Sequence, residues 1–127
     1  MTQTPKPEPK EPLRTAALGE QTPEIRDLPP PAGWRFTLSG ASGTFELAAA
    51  RTIIGRDGDV ALQHASVSRR HAVIEIFSDE MIEVRDLAST NGTRLKGKLI
   101  EAGKLRSGDA IRFGDLEFVF NVEKLAG

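Results

Sequence analysis

From Trp34 onward the chain alternates. Val73, Glu75 and Phe77 interleave with Ala72, Ile74 and Ile76, and residues 81–87 repeat the pattern, the period of two that marks a strand with one buried face. Short runs rich in β-branched and aromatic residues predict strands at Trp34–Ser39, Thr44–Ala48, Arg51–Gly55, Val60–Leu62, Ala72–Phe77, Met81–Asp86, Arg94–Leu95, Lys98–Ile100, Ala110–Phe113 and Glu117–Val122. Turn-forming stretches separate them: Ser39–Gly43, Asp57-Gly58-Asp59, Ser78-Asp79-Glu80, Lys96-Gly97 and Arg106–Asp109. No helical pattern of roughly 10–15 residues intervenes, so the fold class is all-β, an antiparallel sandwich or barrel and not a parallel α/β sheet. The predicted core is Phe36, Leu38, Ile53, Val73, Ile74, Ile76, Val84, Leu87, Ile111, Phe113, Phe118 and Phe120.

The first quarter is different. All eight prolines fall within the first 31 residues of 127. Proline supplies no ladder donor, and few large apolar residues accompany it, so residues 1–33 are expected to be a disordered proline-rich tail ending in the stiff Leu28–Pro31 spacer. Residues 34–123 form the predicted domain, followed by a short tail at 124–127. Leu13–Glu20 reads as plain linker, too short for a stable helix alone. The first twelve residues carry prolines and charges where a secretory signal would be apolar, so a cytoplasmic location is expected. No apolar run suits a membrane span, so no membrane insertion is expected.

Composition narrows the function. Lys plus Arg is 17 and Asp plus Glu is 18, a formal net charge of -1, so any affinity for anions must be local. From residue 34 onward 13 basic groups meet 13 acidic ones, with Trp34 as the only tryptophan; nucleic acid is not an expected partner. Cysteine is absent, and His64 and His71 have no third ligand at metal spacing, so neither a metal nor any other cofactor is expected. No nucleophile elbow or phosphate-cradling G-x-x-x-x-G-K occurs; the chain is expected not to be an enzyme. His64 reads as an exposed loop residue.

Three loops gather chemistry at strand ends. Arg56 follows Gly55 at the close of one strand; the next connection carries Ser66-Val67-Ser68-Arg69-Arg70-His71; a third reads Ala88-Ser89-Thr90-Asn91-Gly92-Thr93. Arginine offers a planar, permanently charged fork, and hydroxyls and an amide add directed bonds without more charge. That inventory suits a tetrahedral dianion. Taken singly, each residue also has a bland account: Arg56 paired with Asp57 or Asp59, Ser68 capping a turn, Asn91-Gly92 as turn geometry.

The ordered set Gly55-Arg56, Ser68-x-x-His71, Asn91-Gly92-Thr93, Ser107-Gly108-Asp109 and Gly114 resembles the forkhead-associated (FHA) domain, over roughly Thr37 to Val122. The resemblance implies a sandwich of two twisted antiparallel sheets with binding loops at one end, and a phosphothreonine-dependent adaptor in Ser/Thr kinase signalling. By position it implies that Arg56 and Ser68 grip the phosphate, that Arg69 adds a second contact, and that Thr90 and Asn91 hold the phosphopeptide backbone. Gly55, His71 and Gly92 would brace the loops, and Asp109 with Gly114 would belong to a distal turn. Lys96-Gly97 departs from the family's usual Asn-Gly, placing a cation that, with Arg94, would favour acidic ligand residues if it lies near the groove; otherwise Lys96 points to solvent.

The expected partner is a threonine-phosphorylated protein, with a Ser/Thr kinase or the chain's own phosphorylated tail, at Thr4, Thr15 or Thr22, as candidates; the protein itself is expected to be a monomer. The alternative is a phospho-independent interaction through a sheet face of the same fold.

Overall fold

Alternation along the chain resolves into strands as predicted. The computed structural model describes residues 28–125, and within them run β1 (Trp34–Gly40), β2 (Gly43–Glu46), β3 (Arg51–Gly55), β4 (Val60–Ala61), β5 (Ala72–Ile76), β6 (Ile82–Asp86), β7 (Thr93–Leu95), β8 (Lys98–Ile100), β9 (Ala102–Lys104), β10 (Ala110–Phe113) and β11 (Leu116–Lys124). They form a six-stranded sheet in the order β2-β1-β11-β10-β7-β8 and a five-stranded sheet in the order β4-β3-β5-β6-β9.

Every pairing but one is antiparallel. β4 lies parallel to β3, with Ile54 beside Val60; the Asp59 carboxylate there accepts the Ile53 N–H at 2.9 Å, so the chain doubles back tightly against β3. The sequence-based reading omits β9, because Ala102-Gly103-Lys104 offers no apolar alternation; it is a strand through its pairing with β6, Val84 opposite Gly103.

Inward side chains of both sheets meet in one core that includes Phe36, Leu38, Ile54, Ile74, Ile111, Phe113, Phe118 and Phe120. Each such side chain contributes roughly 1.5–3 kcal/mol when fully buried, and edge-on rings such as Phe45 on Phe118 fix the packing. Of the predicted core only Leu87 is merely half-buried. Ile53 and Val73 are buried but stand apart from this cluster; alternation puts them on the opposite sheet face, beside Glu75, which bridges Arg51 and Arg85.

The expected tail lies outside the described residues as far as position 27. From Leu28 the backbone is tied to the body: the Leu28 carbonyl accepts the Ala50 N–H at 2.9 Å and the Gly33 carbonyl accepts that of Leu125 at 2.9 Å. The resulting frame has two ends, and the connections β3–β4, β4–β5, β6–β7 and β10–β11 share one of them. Among the described residues no helix is long and apolar enough to cross a membrane.

Candidate phosphopeptide-binding loops

The loops at this end are laced together by short contacts between segments far apart in sequence. The Arg56 N–H donates to the Ser68 carbonyl at 3.0 Å, the Asp57 N–H to the Arg69 carbonyl at 2.9 Å, and the His71 N–H to the Ile54 carbonyl at 2.8 Å. Gly55 makes this possible. A methyl group at that position would run into the Arg69 carbonyl, so only a residue without Cβ lets the β3–β4 and β4–β5 loops touch.

His71 stands beneath the loops, 0% exposed. Its Nδ1 accepts the Ser68 N–H at 3.0 Å, which leaves the proton on Nε2 to donate to the Gly92 carbonyl at 2.8 Å. Its ring meets Phe113 edge-on. One imidazole thus joins the β4–β5 loop to the β6–β7 loop and seats both on the core.

Ser68 joins the same two loops at the surface. Its Oγ accepts the Thr90 N–H at 3.0 Å, which leaves the hydroxyl hydrogen available to a further acceptor. Asn91 donates from Nδ2 to the Ser66 carbonyl at 2.8 Å, keeping its side-chain carbonyl and a second N–H. Arg56, Arg69, Thr90 and Asn91 are all exposed and Ser68 is partly so. The structure therefore gathers every predicted site residue onto adjoining loops.

The bland account of Arg56 fares poorly. Asp59 is turned inward to the Ile53 N–H. Among the described residues the ion pairs are Arg35–Glu123, Arg51–Glu75, Arg85–Glu75 and Arg112–Glu117; Arg56, Arg69 and Arg70 take part in none.

The β6–β7 loop is set by Asp86. Its Oδ1 accepts the Ser89 hydroxyl at 2.5 Å and the Thr93 hydroxyl at 2.7 Å, and its Oδ2 accepts the Ser89 N–H at 3.0 Å; the Ser89 Oγ in turn accepts the Gly92 N–H at 2.9 Å. Burial pushes the Asp86 carboxyl up, but the bonds from Ser89 and Thr93 outweigh it and hold the carboxyl below its ordinary value. Ala88 sits at a φ of 56° inside this loop, a left-handed conformation that these bonds hold in place.

Sequence reasoning missed Ser66. Its Oγ accepts the Asp115 N–H at 2.9 Å and lies 2.8 Å from His64 Nδ1, its N–H donates to the same His64 nitrogen at 3.1 Å, and its carbonyl holds Asn91. His64 is exposed as expected, but it belongs to this bracket. Gly114 does too: its N–H donates to the Gly92 carbonyl at 3.1 Å, and a side chain there would strike the Ser66 carbonyl. It lies at the loop end, which corrects its placement in a distal turn. Asp109 does sit at the far end, accepting the Arg106 N–H at 2.9 Å. Of the two readings of Lys96, the solvent-facing one fits: it is exposed, in a turn at the far end of β7 from Asn91.

A β-sandwich whose sheets hold four cross-braced loops, with cations and hydroxyls outward, defines a loop-borne recognition domain. The chain belongs to the FHA-domain family: the family's model matches residues 52–114. It is 33% identical over 111 residues to the oxoglutarate dehydrogenase inhibitor of Corynebacterium diphtheriae, covering 83% of this chain and 77% of that protein. Transcriptional regulatory protein EmbR of Mycobacterium tuberculosis is 42% identical over 112 residues, 86% of this chain and 26% of EmbR; the chain thus spans about a quarter of that relative. Among solved structures, EmbR in complex with a low-affinity phosphopeptide superposes with a TM-score of 0.65 at 36% identity, over 73% of this chain and 26% of that one. A domain from a study of phosphothreonine-dependent FHA domain interactions gives 0.60 at 34% identity, over 69% and 94%.

Proposed function

We infer that the chain is a non-catalytic module that binds threonine-phosphorylated protein segments through its loop end. The observation that carries this reading is the convergence of Arg56, Ser68, Arg69, Thr90 and Asn91 on loops locked together by His71, with no carboxylate paired to the loop arginines among the described residues. The relatives support it, since EmbR binds a phosphopeptide and another FHA domain acts in phosphothreonine-dependent interactions.

The roles follow from the free valences. Arg56 and Arg69 supply charge-assisted bonds to the phosphate, and Ser68 donates the hydrogen its contact with Thr90 leaves over. Asn91, fixed through Ser66, turns its remaining amide groups to the ligand backbone beside Thr90. A phosphate carries nearly two negative charges near neutral pH, so its removal takes away most of the differential affinity. The partner is a substrate of a Ser/Thr kinase or the kinase itself, met in the cytoplasm by a monomer.

The chain's own tail is a further candidate ligand. The Leu28 anchor beside Ala50 lies at the opposite end of β3 from Arg56. Thr22 lies six residue steps before Leu28, a reach of about 20 Å at full extension, whereas Thr15 and Thr4 have ample slack; Thr22 is therefore better suited to another copy's pocket. Matched arrays of phosphorylated and unphosphorylated threonine peptides, tail sequences included, test the reading. Binding confined to the phosphorylated set supports it; equal binding to both favours the sheet-face alternative.

A further inference from the structure

A second recess adjoins the candidate site without sharing its cations. A groove of about 450 Å³ runs beside the β6–β7 loop, lined by Asp86, Thr90, Asn91, Leu99, Ile100 and Glu101 among others. Leu99 and Ile100 are its apolar part: Leu99 is 62% exposed, the most open of the large apolar side chains among the described residues. Gly92 packs directly over it, since a methyl there would lie 2.5 Å from Leu99 Cδ1, so the loop that carries Asn91 and the shelf formed by Leu99 are one surface. The lining holds two carboxylates, Asp86 and Glu101, and no cationic side chain; the exposed Arg94 stands opposite Leu99 across the β7–β8 pair, outside the lining. Asp86 is engaged by Ser89 and Thr93, while Glu101 is exposed.

We propose that this groove receives a long basic side chain, arginine or lysine, from a residue flanking the phosphothreonine, its aliphatic stem on Leu99 and Ile100 and its charged head at Glu101. Long cations lay their methylenes on apolar surface while keeping the charge at a polar rim, and an acidic or short residue gains nothing there. The ligand would thus present opposite charges to the two sides of Thr90-Asn91: phosphate toward Arg56 and Arg69, a cation toward Glu101. The proposal rests on the phosphothreonine reading.

The test is an oriented peptide library with a fixed phosphothreonine and degenerate flanks, screened against the full chain and its Leu99→Ser and Glu101→Lys variants, with an unphosphorylated threonine library alongside. The proposal expects the parent to favour Arg and Lys over Ala at one flanking position by roughly three- to tenfold. It expects that preference to shrink in Leu99→Ser and to vanish or invert in Glu101→Lys, the loss falling on basic peptides alone. Phosphate-dependent binding with no basic preference, or with one unchanged in Glu101→Lys, overturns the groove and leaves the phosphothreonine reading standing. Absence of any phosphate dependence in the parent overturns both.

Discussion

Lys96 shows how a single backbone angle sets a local cost. It stands at a φ of 52° with Gly97 at 83°, in the two-residue turn that joins Leu95 to Lys98, and such turns require left-handed backbone at both positions. Glycine meets that at no steric cost and asparagine at little; lysine does so under strain. Lys96→Asn is expected to raise stability by about 0.5–1 kcal/mol in urea melts, with no change in phosphopeptide affinity because the turn lies away from the loops. Ser66 makes the complementary point. The first of two serines in Ala65-Ser66-Val67-Ser68 carries no signal of its own, and its importance comes from Asp115 and Asn91, far away in sequence.

Among the elements, the β6–β7 loop hangs on one carboxylate, which makes its stability pH-dependent with a definite sign. Asp86 titrates below its ordinary value in the folded state, so it stabilises the fold above the unfolded value of roughly 4, and that contribution is lost as pH falls through the lowered folded value. Asp86→Asn should therefore be less stable than the parent at pH 7, with the gap narrowing as pH falls below the unfolded value and through the lowered folded one. A gap independent of pH would show that the carboxylate's charge is not what the loop uses. The strands themselves were legible because alternation is local: β5 and β6 declare both faces within five residues. β9 was not, since its strand character comes from β6. The parallel turn of β4 was hidden because it depends on Asp59 reaching back to Ile53.

At the scale of the whole molecule, the sandwich is a frame for loops braced by polar contacts and, in β4–β5, seated on the core through Leu62 and Val67. Three of them could be read in advance, because Arg56, Ser68 and Asn91 each sit at a strand end within a recognisable order. The fourth could not: β10–β11 contributes through the backbone of Gly114 and Asp115, and backbone contacts leave no composition to read. Nor could the groove at Leu99, since an exposed leucine in Lys98-Leu99-Ile100 passes for part of the strand's buried pattern until the register places it outside. The direct measurement of the central claim is calorimetric titration of a phosphothreonine peptide into the parent and into Arg56→Ala, with thermal melting of both as a control. The account predicts that the variant melts as the parent does and binds at least tenfold more weakly, the loss of a charge-assisted contact worth roughly 1.5–3 kcal/mol. A folded Arg56→Ala protein that binds the peptide as tightly as the parent would contradict it.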